Sequence, residues 1–260
     1  MRILCWFSCG AASAVAAKAT LNRYAREHEV LIVNCDTRPS EDPDNYRFTE
    51  DCRRWFGQDI LHLRSDKYAT VDDVFAGSSY MSGIKGAVCT TELKKKPRLD
   101  FAQPDDAHVF GFTADEPKRI REFSARNPDM RLLWVLRDLG ITKAHCYAHL
   151  RAAGIALPAM YAKGFDNNNC PGCVKASSPW YWQQVRQHYP EVFARRCEQS
   201  RRIGCKLVEI RRHRRIFLDE LPDRPYRKIK EHLACGPECG LQTTFFDEPS
   251  APLGHQLPPL

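Results

Sequence analysis

The chain has 260 residues, 43% of them hydrophobic and 27% charged, with a formal charge of +7. No apolar run approaches the roughly 18 residues of a membrane span, and twelve cysteines would suit a disulfide scaffold only in a short secreted chain, which this is not. The length suits one large α/β domain with an appendage, or two small domains.

Met1 to Phe7 is apolar but is broken at once by Ser8 and Gly10. It is too short for a signal peptide, so a cytoplasmic location is expected. Ile3 to Phe7 reads instead as a buried strand running into the small-residue turn Ser8-Cys9-Gly10-Ala11-Ala12-Ser13. Ala14 to Glu27 is Ala-rich and helical in character, and Val30 to Cys35 is a second strand ending in Asp36-Thr37. A polar loop with Pro39, Pro43 and Asn45 leads to a helix near Tyr46 to Phe56 and a short strand at Ile60 to Leu63. His108 to Phe112 is a further strand and ends in Thr113-Ala114-Asp115-Glu116.

Strands alternating with helices indicate an α/β fold, a parallel sheet with helices on both faces. Ligands of such sheets sit at the C-terminal ends of the strands. Ser8 to Ser13, Asp36-Thr37 and Thr113 to Glu116 all fall there. After Arg131 the pattern turns helical, with helices expected at Thr142 to Ala153, Trp180 to Tyr189 and Glu191 to Ile203. The expected organisation is a nucleotide-binding α/β domain over 1–130, a helical, cysteine-bearing and basic region over 131–248, and a disordered Pro-rich tail over 249–260.

A strand, a small-residue turn and a helix start together make an anion site, because backbone N–H groups there are unobstructed. Ser8, Gly10 and Ser13 fit it, with two hydroxyls as extra donors. Cys170-Pro171-Gly172-Cys173, preceded by three asparagines, is a knuckle that holds two sulfurs near one point. Such a pair can bind zinc, ligate an iron–sulfur cluster or cycle as a redox disulfide. Cys235 and Cys239 form a second pair of metal type. Cys5, Cys35, Cys52, Cys146, Cys197 and Cys205 are scattered and read as small core hydrophobes.

Trp180, Tyr181 and Trp182 read as core aromatics, and His145 and His149 as a half-exposed helix surface without a third ligand in sight. Lys94, Lys95 and Lys96 suit either phosphate neutralisation or a solvated helix face. Between Arg195 and Lys230, 13 Lys or Arg stand against 5 Asp or Glu, so the excess positive charge of the chain is concentrated in its C-terminal third. A polyanion such as tRNA or DNA is the partner this suggests.

The turn Ser8 to Ser13 resembles the PP-loop of the adenine nucleotide alpha-hydrolase superfamily, whose pattern is Ser-Gly-Gly-x-Asp-Ser. Asn34-Cys35-Asp36-Thr37 is similar to that family's Asp-Thr at the end of strand two. Gly111 to Glu116 resembles the Gly-x-Arg-x-x-Glu-Ser segment of the phosphoadenosine phosphosulfate reductase branch, and Cys89 to Lys94 with Pro97 its Cys-x-x-x-Leu-Lys element. The Asn-rich knuckle, with Pro190-Glu191-Val192-Phe193 behind it, is similar to a reductase-like subfamily of phage and bacterial genomes. Ala12 stands where the PP-loop has Asp, Cys9 where it has its first Gly, and Thr113 where the reductases have Arg, although Lys118, Arg119 and Arg121 lie close behind.

The resemblance implies a Rossmann-like domain that binds ATP or another adenine nucleotide through Ser8, Gly10, Ala11, Ser13, Asp36, Thr37, Gly111, Glu116 and Arg119, with Mg²⁺ as a further cofactor. It implies a [4Fe-4S] cluster, with zinc as the alternative, on Cys89, Cys170 and Cys173, and the nearest remaining cysteines for a fourth ligand are Cys235 and Cys239. Glu238-Cys239-Gly240-Leu241-Gln242 resembles the reductase tail Glu-Cys-Gly-Leu-His, which would make Cys239 a nucleophile. The expected activity is cleavage of ATP at the α-phosphate to adenylate a nucleic-acid acceptor for sulfur insertion. Reduction of a phosphosulfate to sulfite and non-catalytic nucleotide or nucleic-acid binding are the alternatives. Expected partners are the nucleotide, tRNA or DNA through residues 195–230, and a second copy of the chain, with no membrane.

Overall fold

The opening apolar run is strand β1 (Arg2–Trp6), and the turn after it starts helix α1 (Ala11–Tyr24). β2 (Glu29–Cys35), α2 (Asp44–Phe56), β3 (Ile60–Leu63) and α3 (Val71–Ser78) follow. Two short strands, β4 (Ser82–Gly83) and β5 (Gly86–Ala87), pair antiparallel. A continuous helical run then comprises α4 (Val88–Thr90), a π-helical turn (Thr91–Lys95) and α5 (Lys96–Phe101). Next come β6 (Ala107–Val109), α6 (Pro117–Arg126), β7 (Arg131–Leu133), α7 (Val135–Asp138), α8 (Lys143–Ala152) and α9 (Ala159–Ala162). α10 (Pro179–His188) and α11 (Pro190–Ile203) lead to a hairpin of β8 (Val208–Arg211) and β9 (Arg214–Ile216). This computed structural model describes residues 1–83, 86–212, 214–229 and 231.

Five strands form an all-parallel sheet in the order β3-β2-β1-β6-β7, the α/β arrangement that the alternation of elements predicts. The chain leaves β1 to one side for β2 and β3, then returns to the other side for β6 and β7. Strand order therefore reverses between β1 and β6, and a crevice opens outside their C-terminal ends.

The central strands are apolar at both odd and even positions because both faces are covered. Ile3, Cys5 and Phe7 pack with α1, with Phe48, Cys52 and Phe56 of α2, and with Leu136, Cys146 and Leu150. Leu4, Trp6 and Val33 belong to the opposite face, under Phe101, Ala102 and Phe110. Ile120 and Phe123 of α6 extend that side against Phe112 and Trp134. α1 is Ala-rich for a steric reason: Ala11, Ala14, Ala16, Ala17 and Ala19 are all buried, and small side chains let the helix lie close to the sheet and to α8 at once.

A second core joins Val74, Phe75, Met81 and Leu93 to Met160, Phe165, Val174, Trp182, Phe193, Leu207 and Leu218. The boundary expected at residue 130 does not divide these cores. Residues 131–133 are a strand of the main sheet and Val135 to Ile155 cover its first core, whereas 71–93 contribute to the second. Three residues opening on Arg131 carry no usable hydrophobic period, which is why helix was expected there. Tyr181 and Trp182 are core residues, as expected. His145 is half-exposed, as expected, and closes a capping box with Thr142, whereas His149 is buried. The expected disordered tail, Cys235 and Cys239 lie outside the described residues. No helix among the described residues is long and apolar enough to cross a membrane.

Candidate active site

The turn after β1 builds a cradle. A Cβ placed on Gly10 would lie 3.8 Å from Ser8 Oγ, 3.9 Å from Ser13 Oγ and 3.7 Å from Tyr161 Oη, so glycine leaves open a space ringed by three hydroxyls. Ser8 Oγ donates to Ser13 Oγ (3.2 Å), Ser13 Oγ to the Gly10 carbonyl (2.9 Å), and the Ala11 N–H to Tyr161 Oη (3.4 Å). Burial pushes the Tyr161 phenol up to about 12, so it keeps its proton at neutral pH. The space lies at the positive end of a 14-residue helix with no acidic side chain in its first turn. Cys9 has φ of +54°, a left-handed backbone that glycine adopts most readily, and its carbonyl accepts from Asn168 Nδ2 (2.7 Å).

Gly111, at the end of β6, fixes the other wall. A Cβ there would stand 2.6 Å from the Ser13 nitrogen and 2.8 Å from its Cα. These are backbone atoms that cannot step aside, so only glycine lets the two loops meet.

Between them opens a cleft of about 210 Å³. It is lined by Ser8, Gly10, Ala11, Ser13, Gly111, Glu116 and Arg119 from the expected set, and also by Lys94, Arg98, Lys143, Tyr161 and Asn167 to Asn169. Its carboxylates are already engaged. Glu41 accepts from Thr37 Oγ1 (2.5 Å) and Asn45 Nδ2 (2.7 Å). Glu116 accepts from the Thr113 N–H (3.0 Å), Thr113 Oγ1 (2.9 Å) and Arg119 Nη1 (2.7 Å). Burial alone would raise the Glu116 carboxyl, but the charge of Arg119 and the Thr113 bonds outweigh it and hold the group below its ordinary value. With Lys94, Arg98, Arg119 and Lys143 against two carboxylates, the cleft favours an anion.

Asp36 and Thr37 are placed elsewhere. Asp36 is outside the cleft lining and bonds two guanidinium groups, Arg38 Nε at 2.8 Å and Arg64 Nη2 at 2.9 Å. Burial favours its neutral form, but Arg38 and Arg64 hold the carboxyl well below the usual carboxylate range. It is a brace between the ends of β2 and β3 rather than a group open to ribose, adenine or Mg²⁺. Thr37 lines a second cavity.

That second cavity, of about 20 Å³, brings together Cys89, Cys170 and Cys173. Gly172 turns the knuckle at φ of +66°, and Tyr181 Oη clasps it by accepting from the Cys173 N–H (2.8 Å) and donating to the Cys170 carbonyl (3.4 Å). Val71, Phe75, Leu93 and Val174 make the walls apolar, while Lys94, Lys175 and Arg196 supply positive charge. Three soft thiols with cations nearby fit a thiolate-bound centre. No group of three or more metal-ligating side chains is already in coordination range among the described residues. Cys5, Cys9, Cys35, Cys52, Cys146, Cys197 and Cys205 are free thiols. Burial pushes Cys5 and Cys146 up to about 12 and Cys197 up to about 11, as inert core thiols require. Cys35, read as core, is half-buried and lines the cleft.

Sequence reasoning passed over Tyr161, Lys143 and Asn168 as cleft residues. Tyr161 and Lys143 carry no local pattern, but the three consecutive asparagines ahead of Cys170 were a usable signal, since they stand next to a knuckle that must be positioned. No known protein family and no curated protein matches the chain.

Two outcomes follow from this geometry. Gly111→Ala is expected to force the loops apart and lower the Tm by about 4 °C or more, read by thermal denaturation. The depressed Asp36 carboxyl makes its stabilisation complete above the unfolded value of about 4 and lost as pH falls toward the folded value. Asp36→Asn should cost about 1–3 kcal/mol at neutral pH, flatten the acid limb of stability in denaturant titrations, and leave nucleotide affinity unchanged.

Proposed function

We propose that this chain is an adenine nucleotide enzyme of Rossmann-like, PP-loop type, related to the phosphoadenosine phosphosulfate reductases, that cleaves ATP at the α-phosphate to activate an acceptor for sulfur insertion. The observation that carries this reading is the ring of three hydroxyls around Gly10 at the start of α1, at the point where strand order reverses. A substrate oxygen attacks the α-phosphorus, the bond to pyrophosphate breaks, and the adenylated carbon then accepts a sulfur nucleophile as AMP departs. In this reading Ser8, Ser13, Tyr161 and the N–H groups of the first turn of α1 hold the pyrophosphate oxygens, while Lys94, Arg98, Arg119 and Lys143 offset the charge that develops. Ala12 offers no carboxylate, and Glu41 and Glu116 are occupied, so neutralisation falls to these cations.

Cys89, Cys170 and Cys173, with Cys235 as the expected fourth thiol, would hold a zinc ion or an iron–sulfur cluster whose chemistry is the handling of sulfur. The acceptor in this reading is tRNA or DNA. Supporting it, Arg211 and Arg214 pair directly across the β8–β9 hairpin, a like-charge pairing that costs stability unless an anion lies over it. Arg212 and Arg215 are exposed beside them, and only Arg215 has a carboxylate, Glu209 at 3.6 Å, within ion-pair range among the described residues of this hairpin.

ATP incubated with the anaerobically purified protein, tRNA or DNA and inorganic sulfide is expected to yield AMP and pyrophosphate, at a rate that falls about 100-fold or more in the Ser8→Ala/Ser13→Ala variant. Sulfite from an adenylyl sulfate, without ATP cleavage, would instead assign the reductase reaction through Cys239. Nucleotide binding with neither product would assign a binding protein. Replacing Arg211, Arg212 and Arg214 by Gln is expected to reduce the slope of log affinity against log salt for tRNA by about 2–3; an unchanged slope returns the hairpin to ordinary surface.

A further inference from the structure

Asn168 belongs to the cysteine knuckle by sequence and to the phosphate cradle by contact. It stands two residues before Cys170, yet its Nδ2 donates to the Cys9 carbonyl and to Asn45 Oδ1, each at 2.7 Å. The orientation of this amide is dictated from elsewhere. Asn45 Nδ2 donates to Glu41 Oε2, so Asn45 turns its oxygen toward Asn168, and Asn168 must answer with its nitrogen. Its own oxygen is left buried with no donor among the described residues. A residue selected for stability alone would not carry an unsatisfied acceptor, because such an atom is costly. What the arrangement secures is the grip on Cys9, whose left-handed backbone leads straight into Gly10.

The other end of the same segment is set by the thiols. Cys170 and Cys173 line a cavity with Cys89, and Tyr181 clasps the backbone of both. Asn167 meanwhile accepts from Lys143 Nζ (3.3 Å), so the three asparagines span the gap between thiol cavity and cleft.

We propose that Asn168 is a positioning residue for the phosphate cradle and transmits the state of the Cys170 and Cys173 thiols to the nucleotide cleft. The inference rests on the nucleotide reading given above. With the knuckle closed on its cavity, Asn168 holds Cys9 in the left-handed turn and the cradle keeps its shape. With the thiols blocked, the knuckle shifts, the grip on Cys9 is released and the cradle relaxes. The coupling runs both ways: a nucleotide in the cradle holds the knuckle closed and protects the thiols, and blocking the thiols weakens the nucleotide.

The test uses the full chain, ATP as the probe and iodoacetamide labelling read by peptide mass. ATP is expected to slow labelling of Cys170 and Cys173 about fivefold or more, with Cys205 as an unaffected control, and prior labelling should weaken ATP about fivefold or more in calorimetry. Asn168→Ala should remove the coupling in both directions, and so should Asn168→Asp, which keeps the shape but loses the N–H donor; the second variant serves if the first does not fold. ATP binding without protection, or protection that persists in either variant, overturns the inference while leaving the nucleotide reading standing. Absence of ATP binding to the wild-type chain overturns that reading and this inference with it.

Discussion

The approach of the Gly111 backbone to the first turn of α1 is the constraint on which the rest of the site depends. Strands β1 and β6 are neighbours in the sheet, but neighbouring strands alone do not bring their following loops into contact. The missing side chain at Gly111 does so, with the Ser13 nitrogen and Cα within 2.8 Å of where a Cβ would stand. The alanines of α1 answer the same demand from the other side. A helix carrying larger residues at positions 11, 14 and 17 would ride higher on the sheet, and its N–H groups would no longer open into the crevice.

Charge is distributed to the same end. The acidic groups nearest the cleft are consumed internally, Asp36 by Arg38 and Arg64, Glu116 by Thr113 and Arg119, and Glu41 by Thr37 and Asn45. The cations are presented outward from helices. The π-helical turn at Thr91–Lys95 matters here, because one extra residue per turn shifts the phase of the helix. Cys89 and Leu93 line the thiol cavity, Arg98 lines the cleft, and Lys94 lines both. One helical run thereby serves two cavities that an unbroken α-helix would present at different angles.

Much of the first core was legible because its signals are local. The apolar runs of β1, β2 and β3, the small-residue turn and the three thiols of the second cavity were each found from a few adjacent residues. What escaped depends on partners far along the chain. Asp36 stands at a strand end, where ligands usually bind, and only the arrival of Arg64 from β3 shows it to be a brace. α6 went unread since its buried face is Ile120 and Phe123 alone, although Pro117 at its start and Asn127-Pro128 at its end mark its termini. The division at residue 130 followed a change in pattern, whereas cores are divided by contacts, and residues 71–93 make theirs with chain that comes far later.

That late completion sets the order in which the nascent chain becomes stable. Val74, Phe75, Met81 and Leu93 emerge from the ribosome before the segment from Met160 to Phe193 that covers them. At about 5–20 residues per second, the interval of roughly seventy residues lasts several seconds. Through it the first sheet can assemble, but an apolar ledge stays uncovered, and the Cys89 thiol waits alone for Cys170 and Cys173. Newly made chains thus expose a surface suited to chaperone capture and a cysteine open to premature oxidation, and closure of the knuckle ends both exposures at once.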